Sequence, residues 1–497
     1  MSDTNKPATF DVDLWNEDLA PTTAEQRTWR WTHYASLWIA MVVCVPTYML
    51  AAGLVSEGMN WWQAVITVLL GNVIVLLPML LIGHAGAKYG VPFPVLLRSS
   101  FGTVGARIPA LARGLVACGW FGIQTWVGGS AIYVILRSFI GDDIASAALP
   151  LLGIDIIQTL CFVAFWLLHL VFIKFGTESI KGLETYAAPF LIAMGLALLA
   201  WAYVQAGGWG EMLSAPSQFA AGGEKAGQFF SVFVAGLTAM VGFWATMALN
   251  IPDFTRFAQS QKDQMLGQAI GLPLPMALFA FIGVAVTSST VTIYGEAIWD
   301  PVVLAGKMGG VGIVLALAAL ALATLTTNLA ANLVAPAYGF SNLRPQYISF
   351  KQGGYITAGI GIAIFPWKLL ETAGGYLFTW LLGYSALLGP IAGILISDYF
   401  LLRKCQLDVA TLFQHQDKTG QSQRWNVAGI AALIVGILPN LPGFLVAVGA
   451  ISDVPAIFNT LYAYAWFVGL LVAAGVYLLL MTLLRRVEHT NADALKL

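Results

Sequence analysis

Residues 37–54 read LWIAMVVCVPTYMLAAGL, a run without a single Asp, Glu, Lys or Arg. A membrane-crossing helix needs about 20 mostly apolar residues, and this run with its flanks, 33–55, supplies them. Pro46 stands near its centre. Proline offers no N–H and clashes with the preceding turn, so carbonyls around Met41 to Cys44 lose their helical partners. Two readings follow: a simple kink, which membrane helices tolerate, or an unwound point whose carbonyls face a bound ion.

Working outward, eleven further runs of this kind are predicted: 61–85, 108–136, 148–173, 186–206, 229–250, 269–292, 310–340, 354–370, 374–398, 426–448 and 459–483. The whole chain has 497 residues, 58% hydrophobic and 10% charged, where a soluble domain carries about 25% charged residues. A soluble enzyme is excluded, and so is a disordered chain, which needs low hydrophobicity and high net charge. A formal net charge of −1 excludes a nucleic-acid binder, whose phosphate contacts demand a basic surface. Strands of a membrane barrel would alternate apolar and polar over about 10 residues; these runs do not.

The basic residues set the orientation. With the N-terminus inside and twelve spans, all of the 24 basic residues except Arg137, Lys225, Lys307 and Lys368 fall on the inner side. Positively charged loops stay cytoplasmic, so both termini are expected inside the cytoplasmic membrane. Residues 1–32 are polar, mixed in charge and unlike a signal peptide; they read as a cytoplasmic tail. Cys44, Cys118, Cys161 and Cys405 have no metal-ligand spacing and read as small apolar residues.

Polar side chains inside spans are costly in lipid, so their positions carry information. The third span contains CGWFGIQTWVGG, where Trp120 and Gln124 share a helix face. Its glycines suit close helix packing, with Gln124 as interhelical glue; the alternative is a ligand site. The sixth span carries Phe243 and Trp244 and ends in NIPDFTRFA from Asn250. The eighth reads ALATLTTNLAANLVAPAYG from Ala321. There Ala323, Thr326 and Thr327 share one stripe, and Asn328 and Asn332 another. Thr can bond back to its own helix, but two asparagines at mid-membrane ask for more. Hydroxyl and carbonyl oxygens suit a hard alkali cation and not a transition metal. Glu184, Asp253 and Asp398 lie at inner span ends and Asp155 near an outer one, so no carboxylate at mid-membrane offers itself as a proton carrier. His169 is read as packing or capping. Na⁺ is therefore expected as coupling ion ahead of H⁺.

These residues carry a resemblance. GHAGAKYGVPFPVLLRSSFG from Gly83, GWFGIQT from Gly119 and NIPDFTRFA from Asn250 are its most specific pieces. NEDLAPTTAEQRTW from Asn16, ANLVAPAY from Ala331, PWKL from Pro366 and GPIAG from Gly389 add to it. Together they make the chain similar to nucleobase–cation symporter family one, nearest its allantoin, hydantoin and uracil branch. The resemblance implies an all-α membrane fold of the leucine-transporter type with twelve spans. Residues 33–206 would form one five-helix repeat and 207–398 its inverted copy. A cytoplasmic loop, 399–425, would lead to two extra helices within 426–483 and a tail, 484–497. Such folds bind near the midplane, beside broken helices in corresponding positions of the repeats; spans one and six correspond, as do three and eight.

By the same resemblance Trp120 and Trp244 would stack on a flat heterocycle, and Gln124 and Asn332 would pair with its ureido edge. Na⁺ would be held by backbone oxygens near Met41 and Cys44, the Ala323 carbonyl, and the Thr326 and Thr327 hydroxyls. Phe243 departs from the pattern, because a family member that carries benzyl-hydantoin has Gly there; Phe is expected to narrow the pocket. The resulting expectation is a symporter importing uracil, a dihydropyrimidine, hydantoin or allantoin, in a lipid bilayer, without a prosthetic group or obligate protein partner. A membrane enzyme would need a nucleophile with its base or a metal cluster, and the five histidines form none. A passive channel would need rings of carbonyls or charges.

Overall fold

In the computed structural model the described residues are 7, 9–141, 147–175, 177–209, 213–308, 311–372, 374–416 and 420–494. Among them there are helices and turns and no strand. The first helices are α1 (Trp31–Val42), α2 (Val45–Ser56), α3 (Trp61–Tyr89), α4 (Phe93–Phe101), α5 (Arg107–Ile140), α6 (Ile156–Phe175) and α7 (Thr177–Gln205). Then come α8 (Phe229–Asn250), α9 (Gln261–Gly271), α10 (Pro273–Tyr294), α11 (Pro301–Lys307), α12 (Val311–Thr327), α13 (Val334–Leu343) and α14 (Phe350–Ala363). The last are α15 (Leu382–Ile396), α16 (Val427–Ile437), α17 (Leu441–Ala447), α18 (Ala456–Ala463) and α19 (Ala465–Ala494).

The break at Pro46 is a true interruption. α1 and α2 meet at 57°, and Cys44 between them is extended, at φ −141° and ψ 160°. Pro46 falls in the first turn of α2, where its missing N–H costs nothing and its fixed φ favours the helix. Val43 N bonds back to Ile39 O at 3.1 Å and Cys44 N to Val42 O at 2.9 Å. The N–H of Val45, which a continuous helix would give to Met41 O, instead opens α2.

Among the described residues nine helices, or ten if α1 and α2 count as one bent span, are long and apolar enough to cross a membrane; the two other expected spans fall on shorter apolar helical stretches. The fifth expected span corresponds to the apolar stretch Pro189–Gln205 within α7. The ninth is α14, only 14 residues long. Glycines at 353, 354, 359 and 361 weaken it, and Phe365, left-handed at φ 54°, turns the chain into Pro366. The sixth span, which corresponds to the first, shows no such break: α8 runs unbroken from Phe229 to Asn250, and no proline stands in it before Pro252. The irregularities lie elsewhere: π-helical turns at Asn328–Leu333 in the eighth span and at Gly375–Leu381 and Ser397–Leu402 in the tenth.

Small residues bring α5 to the centre. At Gly122 a Cβ would collide with Gly361 O of α14, and at Gly129 it would press on the Phe162 backbone of α6. Asp398 closes the basic end. It accepts from Arg403 Nε at 2.7 Å, Ser100 Oγ at 3.0 Å and Tyr477 OH at 2.9 Å. The N-terminal segment docks there too, with Phe10 stacked on Phe413 at 4.7 Å and Asp11 N bonded to Phe413 O at 2.9 Å.

Candidate functional site

Four elements converge on one small cavity. α5 supplies Trp120 and Gln124, α8 supplies Phe243, Trp244, Thr246 and Met247, the α1–α2 break supplies Cys44 and Pro46, and the eighth span supplies Thr327, Ala331 and Asn332. All five residues singled out as a substrate site therefore line the same space. Its volume is about 20 Å³, where one water needs roughly 10–15 Å³. Seating a heterocycle requires the aromatic walls to part.

Those walls stand edge to face. Phe243 lies 5.4 Å from Trp120 and 4.9 Å from Trp244, nearly perpendicular to both. Trp38 of α1 backs Trp244 at 5.0 Å. Trp120 is ringed further by Tyr376 at 6.2 Å, Trp380 at 6.0 Å and Tyr384 at 6.3 Å. Edge-to-face contacts of this kind are favourable by about 0.5–1.5 kcal/mol each, so Trp120 is held by four rings while it also lines the cavity. The tenth-span aromatics were missed in the sequence, although their i, i+4, i+8 spacing was a signal.

The polar groups are unfinished. Gln124 Oε1, Trp244 Nε1 and Thr327 Oγ1 are buried without a hydrogen-bond partner among the described residues. Buried polar atoms are nearly always bonded, so three orphans around one cavity stand out. Gln124 Oε1 thus bonds to no other helix among the described residues. Asn328 does join helices: its Nδ2 reaches Phe121 O at 3.0 Å, Thr125 Oγ1 at 3.3 Å and His169 Nε2 at 3.0 Å. Asn332 Nδ2 donates to Asn328 Oδ1 at 3.0 Å.

The residues expected to hold an ion are only partly brought together at this cavity, and Thr326 borders neither it nor its neighbour. Cys44 and Thr327 face the small cavity. Cys44 and Ala323 also border a neighbouring, almost wholly apolar cavity of about 320 Å³. Cys44 O already accepts from Tyr48 N at 3.3 Å, leaving a second lone pair. Thr326 Oγ1 bonds back to Ala323 O at 3.0 Å and Leu322 O at 3.1 Å, which spends its proton and leaves its lone pairs. Met41 is buried on α1, one turn before the break, and lines neither cavity. Among the described residues no cluster of His, Cys, Asp and Glu could hold a metal ion.

Arg113 is a second residue whose place the sequence hid. Counted there as an inner-side basic residue, it lies buried within α5, two turns below Trp120. Its Nε bonds Thr246 O at 3.0 Å and Asn250 Oδ1 at 3.1 Å, and its Nη2 bonds Asn250 Oδ1 at 2.6 Å. α5 and α8 are tied directly beneath the cavity.

Residues 21–469 match a family described as permeases for cytosine/purines, uracil, thiamine and allantoin. A purine-uracil permease of Arabidopsis thaliana is 48% identical over 489 residues, covering 98% of this chain and 80% of its own. The allantoin permease of Bacillus subtilis is 41% identical over 471 residues, covering 94% and 93%. Among solved structures, the nucleobase–cation symporter Mhp1, closed around bromovinylhydantoin, superposes with a TM-score of 0.76 at 25% identity, covering 95% and 96%. Its inward-facing form superposes with a TM-score of 0.74 at 26% identity over the same shares.

Proposed function

The chain belongs to the permease family for cytosine, purines, uracil, thiamine and allantoin, and from that premise we propose that it imports a small cyclic ureide by Na⁺-coupled alternating access. It is a multi-pass membrane transporter and not an enzyme. Uracil, a dihydropyrimidine, hydantoin or allantoin is the substrate, crossing the cytoplasmic membrane toward the side that holds both termini. The observation that carries this reading is the set of orphaned polar atoms on Gln124, Trp244 and Thr327 around an aromatic cavity. A flat ring offering both N–H and C=O groups satisfies them while its faces meet indole.

The Na⁺ assignment is supported by the Thr327 hydroxyl, unpartnered among the described residues, on the same cavity as Cys44 at the α1–α2 break, whose carbonyl keeps a second lone pair. An ion there would touch the wall of the substrate cavity, so each ligand raises the other's affinity. One observation favours H⁺ instead. Asp253, in the turn after α8, is buried, with Oδ1 accepting from Phe93 N at 2.8 Å and Oδ2 without a partner among the described residues. Burial pushes its carboxyl up to about 7, so it is protonated below that pH and loses the proton as pH rises through it.

Uptake of radiolabelled uracil, hydantoin and allantoin into cells expressing the chain, with and without Na⁺, tests the proposal. Saturable uptake of one compound that collapses without Na⁺ is expected. Uptake indifferent to Na⁺, driven by a proton gradient and abolished by Asp253→Asn, would replace Na⁺ with H⁺. No uptake of any of the three removes the ureide reading.

Phe243 sets an upper limit on size. Its ring occupies the angle between Trp120 and Trp244, leaving no space for a bulky 5-substituent. Benzyl-hydantoin is expected to compete poorly with the native chain and, after Phe243→Gly, to compete about tenfold better or more. Strong competition against the unmodified protein contradicts this.

A further inference from the structure

Between α5 and α8 the way from the cavity toward the termini runs past Arg113. Thr246 and Met247 of α8 line the cavity, and Asn250 stands one turn further on, buried. At that level Arg113 reaches across from α5. Nε donates to Thr246 O at 3.0 Å and to Asn250 Oδ1 at 3.1 Å, and Nη2 donates to Asn250 Oδ1 at 2.6 Å. Beyond it α8 ends where the N-terminal segment docks. There Arg256 Nη1 donates to Asp18 O at 3.2 Å, and its guanidinium lies 5.5 Å from the Tyr338 ring of α13. A flat ring moving between α5 and α8 toward the termini therefore meets the Arg113 layer first. That layer is left unfinished. Arg113 Nη1, Asn250 Nδ2 and, one turn on, Asp253 Oδ2 are buried without a hydrogen-bond partner among the described residues.

Leaving a buried polar group unmatched costs about as much as a bond to a charged group gains, so three bonds hold this layer shut against three unmet atoms. When α5 and α8 part, water meets those atoms and also takes over the partners of the broken bonds. The two arrangements then stay close in free energy, which is the condition for a switch that a ligand can tip. A fully bonded layer would hold α5 to α8 throughout the cycle, and an apolar one would give a polar solute nothing to pass along. From these bonds and orphans we infer that Arg113 is a positioning residue, the inner latch of the transport cycle. Bonded to α8 it closes the cavity on the side of the termini, and when hydrated it lets the cavity open there. The inference rests on the alternating access proposed above and on neither the ureide nor the ion. Releasing Arg113 raises opening without making it permanent, because Arg256 still ties the end of α8.

Cys44 is a native reporter, since it lines the cavity and is buried in this closed arrangement. The full chain carries Cys118→Ala, Cys161→Ala and Cys405→Ala, so that Cys44 is its one remaining thiol. The rate at which a membrane-impermeant sulfonated maleimide labels Cys44 is then measured in sealed vesicles of either orientation, without substrate. Asn250→Ala removes the acceptor of two of the three bonds. Labelling from the side of the termini should quicken about tenfold or more, while labelling from the opposite side stays the same or slows. Asn250→Asp keeps the shape and the acceptor oxygens, and should return labelling to the native rate or below it. Should Asn250→Ala fail to fold, Arg113→Lys carries the test. One ammonium does not reach both acceptors as the planar fork does, and labelling from the side of the termini should again quicken. A contact needed only for packing loosens the chain as a whole, so labelling quickens alike from both sides. That result, or folded variants labelled at the native rate, overturns the inference. The readout needs neither substrate nor Na⁺, so the ureide and ion assignments stand or fall by uptake alone.

Discussion

Replacing Trp120 by Ala should lower substrate affinity about a hundredfold, in line with the roughly 1–3 kcal/mol that one aromatic plate contributes to stacking on a base. The indole is buried at 5% exposure, and its edges are fixed by Phe243, Tyr376, Trp380 and Tyr384, so it meets a ligand without first losing rotamer freedom. Deleting it removes the plate and also the body around which four aromatic side chains are arranged. A large buried side chain cut to Ala costs about 3–5 kcal/mol where the space cannot relax. Trp120 borders a cavity, so its surroundings have room to close and the variant is expected to fold. Equilibrium binding of the ureide identified by uptake, with chromatographic and circular-dichroism checks of the fold, decides the matter. Trp120→Phe keeps a smaller plate and should fall between, at about tenfold. An Ala variant that folds and binds as tightly as the native chain removes stacking from the site.

What the sequence showed and what it hid divide along a physical line. Pro46 announced the break between α1 and α2 because proline acts on its own backbone, whatever surrounds it. Trp120, Gln124, Trp244 and Asn332 were legible because each is out of place in lipid, and an expensive residue needs a reason where it stands. Properties that depend on a partner far along the chain were not legible. Arg113 read as one of the loop cations that set topology, since nothing nearby showed Asn250, 137 positions on, waiting for its guanidinium. His169 read as packing or capping and is packed between Phe121 and Phe165, but its contact with Asn328, 159 positions away, was out of reach for the same reason. Tyr376, Trp380 and Tyr384 were lost in a different way, because aromatic residues at helical spacing in an apolar run look like ordinary packing. The unbroken α8 shows the limit of arguing from internal symmetry. Corresponding positions in two repeats share a role, but a helix breaks only where its own residues break it.

Thr326 and Thr327 together make the sharper case for the coupling ion. Converting both to Val keeps their shape and deletes two oxygens, and Na⁺-stimulated uptake should fall at least tenfold, as expected when a hard cation loses two of its few ligands. The two positions should not contribute alike. Thr326 already donates to Ala323 O and Leu322 O, so its hydroxyl meets a cation through lone pairs and Thr326→Val also frees two carbonyls. Among the described residues Thr327 Oγ1 has no partner, and a buried unsatisfied hydroxyl costs about 1–3 kcal/mol. In Na⁺-free buffer Thr327→Val should therefore melt at the native temperature or above it. In Na⁺ the native chain should gain stability with the logarithm of the ion concentration, as any ligand of the folded state requires, while the double variant should not respond. That pairing separates an ion site from a structural one, because a hydroxyl needed only for packing destabilises the variant equally in both buffers. A double variant whose melting temperature still climbs with Na⁺ places the cation elsewhere in the fold, and one that transports on a proton gradient alone turns attention to Asp253.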